Sequence, residues 1–162
     1  MTATATTLRN AQAQRLCQEA CSRLHAHDPV EAIALLEQAL RLDPHSAQCL
    51  SLYGLCLARV HGDYERALRA CRQALHEAPD DVDVRTNLGR VYRLMGDKGK
   101  AHRLFMDAWM RDRRHPAPAA ELTRMGVRHA PVLPFLPRSH WCNRVLGRIR
   151  HRLRRALSRA AA

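Results

Sequence analysis

Residues 82–108 read VDVRTNLGRVYRLMGDKGKAHRLFMDA, two helix-forming stretches parted by Gly96-Asp97. Glycine enters the left-handed backbone region at no steric cost, and that geometry ends a helix. Aspartate then offers a side-chain oxygen to the free N–H groups of the next helix. The small residues Gly89 and Ala101 lie on either side of this turn and allow the two helices to approach closely. Leu88, Tyr92, Phe105 and Ala108 recur at helical spacing beside them. The stretch therefore predicts one antiparallel helical hairpin.

The same spacing recurs upstream. Ala32, Ala67 and Ala101 fall 35 and 34 residues apart, and so do Ala39, Ala74 and Ala108. Leu36, Cys71 and Phe105 each follow the first set by four residues, and Ala20, Gly54 and Gly89 precede it. Pro44 and Pro79 close the first two units. The extra residue of the second unit lies near Val60–Tyr64, in a turn, where an insertion costs little. Asp28-Pro29 begins the second helix of unit one, with proline favoured in a helix's first turn.

This pattern resembles the tetratricopeptide repeat (TPR) family, whose unit carries W-x2-L-G-x2-Y, then A-x3-F, then P. The third unit matches through Leu88-Gly89-x2-Tyr92, Ala101-x3-Phe105 and Ala108; the second through Tyr53-Gly54-x2-Leu57, Ala67-x3-Cys71, Ala74 and Pro79. The first is irregular in its leading helix and regular from Ala32 to Pro44. The resemblance covers about residues 11–115 and implies an all-α, right-handed superhelix of three hairpins. Repeats are expected at about 13–46, 47–81 and 82–115, with helices near 9–26, 30–42, 47–60, 64–77, 82–95 and 98–112. Stacked hairpins leave an apolar edge, so Ala119–Met125 is read as a short capping helix that completes a domain over 9–128. Residues 1–8 are expected to be disordered, and Pro116-Ala-Pro118 reads as a break.

Composition divides the chain. Residues 1–112 carry 15 basic and 14 acidic side chains; residues 113–162 carry 12 Arg and one acid, Glu121. Pro131, Pro134 and Pro137 predict an extended linker over 129–138. From 139 to 162, Trp141, Val145, Ile149, Leu153 and Leu157 recur every four residues, predicting an amphipathic helix. Arg144, Arg148, Arg150, Arg152, Arg154, Arg155 and Arg159 fill its other sides as candidate anion contacts. An anionic membrane surface, a nucleic-acid backbone or solvent alone could face them. The run LPFLPR at 133–138, with Asn143 and Gly147, resembles the tails of some bacterial members of the family.

The TPR resemblance implies a concave groove lined by the first helix of each unit. Carried over, its positions are Gln14, Cys17, Cys21, Gln48, Ser51, Leu55, Asp83, Thr86, Arg90 and Arg93. The carboxylate-gripping subgroup places Lys, Asn and Arg where this chain has Cys17, Cys21, Leu52, Asp83 and Asn87, and only Asn87 suits that task. Cys17, Cys21 and His25 share one side of a helix, but not at the spacing of zinc hairpins, and read better as small core residues. No phosphate loop, metalloprotease motif or nucleophile elbow is present. The expectation is a non-enzymatic adaptor, scaffold or chaperone-like module without cofactor, metal or small-molecule substrate. It would bind a protein segment in the groove. A tether acting through the basic tail, or a small secretion-system chaperone, are the alternatives. The N-terminus lacks the apolar core of a signal peptide, so a cytoplasmic location is expected, with the tail free to reach an inner-membrane surface.

Overall fold

The protein is described here by a computed structural model over residues 2–126 and 145–146. Among the described residues seven helices run in order: α1 (Thr2–His25), α2 (Pro29–Leu42), α3 (Ala47–Val60), α4 (Tyr64–Glu77), α5 (Val82–Leu94), α6 (Lys98–Arg111) and α7 (Pro116–Met125). They belong to a compact unit ending at Gly126, and a second unit spans 127–162. Of the expected linker and basic tail helix, only Val145 and Leu146 are described, and both are helical. The tail arginines Arg144, Arg148, Arg150, Arg152, Arg154, Arg155 and Arg159 lie outside the described residues.

The turn chemistry falls where the repeat predicts. Gly62 and Gly96 adopt positive φ. Asp28, Asp63 and Asp97 each cap the next helix by accepting from a backbone N–H three residues on, that of Glu31, Arg66 and Lys100. Ser46 and Asp81 cap α3 and α5 in the same way.

The two ends depart from expectation. Helix α1 begins at Thr2, where residues 1–8 were expected to be disordered. Residues 8–12 are exposed and Ala13 is buried, so this stretch extends past the partner helix into solvent before the packing begins. Helix α7 begins at Pro116, so the expected break is its first turn. A first-turn residue has no intrahelical use for its N–H, and proline loses nothing there.

Within each hairpin the close approach is made by small residues. Ala20, Ala32, Ala39, Ala67, Ala74, Ala101 and Ala108 are wholly buried. A Cβ placed on Gly89 would stand 2.5 Å from Phe105 Cε1, so the ring fills the space that glycine leaves. One core gathers Leu55, Leu57, Cys71, Leu88, Val91, Tyr92 and Phe105, with Leu122 and Met125 of α7 packed against it. A second, around Cys17, Leu36, Cys49 and Cys56, joins the first unit to α3. Each large apolar side chain buried this way contributes about 1.5–3 kcal/mol.

The stacking defines two layers. Helix α3 packs on α5, and α5 on α7, while α1 only just reaches α3. Among the described residues α2, α4 and α6 do not touch one another. Layers of unequal spacing curve, so the first helices form the inner, concave side.

Candidate functional site

The ten positions carried over from the resemblance separate by burial. Gln14, Gln48 and Asp83 are exposed, and Cys21, Arg90 and Arg93 are partly exposed. Cys17, Ser51, Leu55 and Thr86 are 0–2% exposed, which corrects their assignment as groove-lining residues: they support the inner surface from beneath. The physical cause is packing on neighbouring helices: Cys17 joins the core around Leu36 and Cys49, Leu55 that around Leu88 and Phe105, and α5 lies close on α3 over Ser51 and Thr86. Thr86 Oγ1 bonds back to the Val82 carbonyl at 2.7 Å, and Ser51 Oγ to that of Gln48 at 3.0 Å.

Cys17, Cys49, Cys56 and Cys71 belong to the core. Burial pushes the Cys56 thiol up to about 11 and that of Cys71 to about 12. Cys17 and Cys49 share one core across α1 and α3, and their mutual interaction raises the pKa of the first and lowers that of the second. Cys21 Sγ lies 3.8 Å from His25 Nδ1, which also contacts the Cys21 carbonyl at 2.8 Å. No group of three metal-ligating side chains converges among the described residues.

A polar network crosses the inner layer. Asn87 Nδ2 donates to Ser51 Oγ at 3.2 Å, and Arg90 Nη1 donates to Asn87 Oδ1 at 2.9 Å. Arg90 Nε donates to Glu121 Oε1 at 2.8 Å. Glu121, on α7, is 1% exposed. Arg124 Nη1 reaches the same oxygen at 3.4 Å, and Arg93 Nε stands 3.4 Å from Oε2. That last pair is misaligned: both atoms are buried and lack a hydrogen bond. Arg59, at the end of α3, is exposed by area, but burial and then repulsion from Arg90 and Arg93 lower its pKa, with Glu121 opposing.

Ser51, Asn87, Arg90 and Arg93 are legible in the sequence as inner-layer positions, and Arg59, Glu121 and Arg124 are not. Arg59 lies one turn beyond Leu55, so continuing the inner side of α3 would have found it. Glu121 drew notice as the lone acid of the basic segment; its place in a short apolar helix was the missed signal.

A solenoid of helical hairpins with an accessible inner layer defines the class of interaction modules that hold protein segments. Tetratricopeptide-repeat profiles match residues 17–82 and 61–124, together spanning all three hairpins. The chain belongs to the tetratricopeptide-repeat family. No curated protein matches it in sequence. The first TPR domain of human RPAP3 superposes with a TM-score of 0.61 at 13% identity, covering 72% of this chain and 91% of that domain. The first TPR of Spaghetti (RPAP3), bound to the HSP90 peptide SRMEEVD, gives 0.60 at 13% identity over 72% and 94%. The O-GlcNAc transferase of Thermobaculum terrenum gives 0.63 at 20% identity over 70% of this chain and 22% of that enzyme. At these identities the shared property is the fold.

Proposed function

We propose that this protein is an adaptor or chaperone-like module that holds an extended or helical segment of a partner protein along the inner sides of α1, α3 and α5. The observation that carries this reading is the inner layer itself. It presents Gln14, Cys21, Gln48, Asp83, Arg90 and Arg93 at or near the surface, over a floor closed by Cys17, Ser51, Leu55 and Thr86. Such a surface offers hydrogen bonds and charge without catalytic geometry. The peptide bound to the Spaghetti (RPAP3) domain supports the mode of binding. A cytoplasmic setting, and service to a secretion system, are narrower versions of the same proposal.

The test is positional. A photo-crosslinking residue at Gln48 should capture one discrete partner in cells, while the same residue at Glu65, exposed on α4, should not. Equal capture from both positions would defeat the reading.

A second reading rests on the tail sequence, where seven arginines between 144 and 159 meet no acid. It makes residues 139–162 a tether to an anionic surface, additional to the groove. Salt separates the two: phosphate-backbone or headgroup contacts weaken steeply as salt rises, whereas peptide burial does so much less.

A further inference from the structure

The inner layer ends in an unbalanced cluster. Arg90, Arg93 and Arg124 contact the one carboxylate of Glu121, and Arg59 stands at the end of α3, the helix that packs on α5 beside Arg90 and Arg93. Three positive charges thus meet one negative charge, which is almost completely buried, and a fourth lies at the neighbouring helix end. Glu121 Oε1 serves Arg90 and Arg124, leaving Arg93 Nε facing Oε2 without a bond. Guanidinium groups present planar donor pairs that match a carboxylate, and in a partly dehydrated setting such pairs are strong. The cluster is therefore built to accept a second anion beside Glu121.

We propose that Arg59, Arg90, Arg93 and Arg124 anchor an acidic segment of a partner polypeptide, a side-chain or terminal carboxylate joining Glu121 between them. This rests on the inner layer being the peptide-holding surface and names the chemistry of its occupant. The anchoring residues differ from those of the carboxylate-gripping subgroup, whose positions here are Cys17, Cys21, Leu52, Asp83 and Asn87.

The charge pattern favours a peptide over a nucleic acid. Asp80, Asp81 and Asp83 sit at the opposite end of α5; Asp80 pairs with Arg111 and Asp83 lies against His115, yet both carboxylates stay well exposed. Ten residues of helix separate Asp83 from Arg93, about 15 Å. A uniformly charged phosphodiester chain lying along the inner face would run into those acids. A peptide carrying one short acidic run meets only the basic end.

The test uses the full chain and a displayed library of random dodecapeptides, with a parallel selection on the chain carrying Arg59→Gln and Arg93→Gln. Both chains keep the same basic tail, so tail binders cancel. Peptides with clustered Asp or Glu should be enriched about tenfold or more on the unaltered chain, and Arg59→Lys with Arg93→Lys should restore part of that preference. Melting is followed for each chain. Arg59→Gln alone, at an exposed position, serves if the double variant does not fold. Arginine-dependent peptides without acidic bias would overturn the anchor and leave the peptide surface standing. The same peptides on both chains would also overturn it, while capture through Gln48 would still uphold the peptide reading. Retention of no peptide by either chain would overturn both. A short single-stranded oligonucleotide that outcompetes the peptides with the same arginine dependence would overturn the anchor in favour of nucleic acid.

Discussion

His27 holds a backbone position that glycine fills in the other hairpins. Its φ is 63°, against 64° at Gly62 and 86° at Gly96. Asp28 N bonds to the Arg23 carbonyl as Asp97 N bonds to that of Tyr92, so the turn is the same and only the residue differs. A side chain in this region costs about 1–2 kcal/mol, part of which glycine returns through its freedom when unfolded. His27→Gly should therefore raise stability by up to about 1 kcal/mol in denaturant titration. The sequence named the Asp28-Pro29 cap but hid this residue, because histidine carries no helix-ending signal. Gly54 and Gly89 look equivalent in sequence but differ in surroundings. A Cβ on Gly89 would strike the Phe105 ring; one on Gly54 would stand 2.6 Å from Cys71 Sγ and 2.7 Å from the Ala67 carbonyl. Alanine at either should cost about 1–3 kcal/mol. Phe105→Leu should relieve part of the strain at Gly89, while Cys71→Ala should relieve little at Gly54, since the backbone oxygen remains; paired melting curves test both. At Asp97, bonds from Lys100, first its backbone N–H and then its side chain, lower the carboxyl pKa. The stabilisation is thus present above the ordinary value near 3.8 and is lost as pH falls through the lowered one. Asp97→Ala should melt below the unaltered chain at pH 7, and the two should converge in acid.

At the scale of elements, α2 to α6 lie within one residue of the bounds read from sequence. Their ends carry physical markers: Gly-Asp turns, capping residues and Pro44 or Pro79. The terminal helices were read less well. Nothing punctuates Thr2–Asn10, and a polar stretch rich in Ala and Thr reads as disordered unless its continuation into a packed helix is known. At α7, Pro116 and Pro118 read as a break in the sequence because proline stops a helix interior, yet it suits a first turn. The groove was legible as a set of helices and less so as a surface. The period assigns a residue to a side of its helix, but the closeness of α3 to α5 decides that Ser51 and Thr86 are covered. Helix α7 matters beyond length. It lays Leu122 and Met125 on the main core and sets Glu121 between Arg90 and Arg93. Ending the chain after residue 115 should cost roughly 1.5–3 kcal/mol from those two half-buried apolar side chains, and more from the unpaired arginines. Ending it after residue 126 should spare the melting transition. Equal loss in both would show that α7 adds no stability.

For the whole molecule, charge is divided between a nearly balanced repeat unit and a strongly basic tail. Arg148→Gln, Arg152→Gln and Arg155→Gln together should leave melting almost unchanged, and should weaken salt-sensitive sedimentation with anionic phosphatidylserine vesicles severalfold. A sharp drop in melting would instead make those arginines part of the fold. The two edges of the solenoid also differ in kind. At one, α7 is locked on by a buried carboxylate; at the other, α1 leaves residues 8–12 exposed. Lengthening this scaffold is therefore a one-way operation. A hairpin grafted ahead of α1 meets a free docking surface, whereas one inserted after Arg111 must first evict α7 and strand Arg90 and Arg93. Engineered arrays, like any expansion by gene duplication, should grow from the amino-terminal edge.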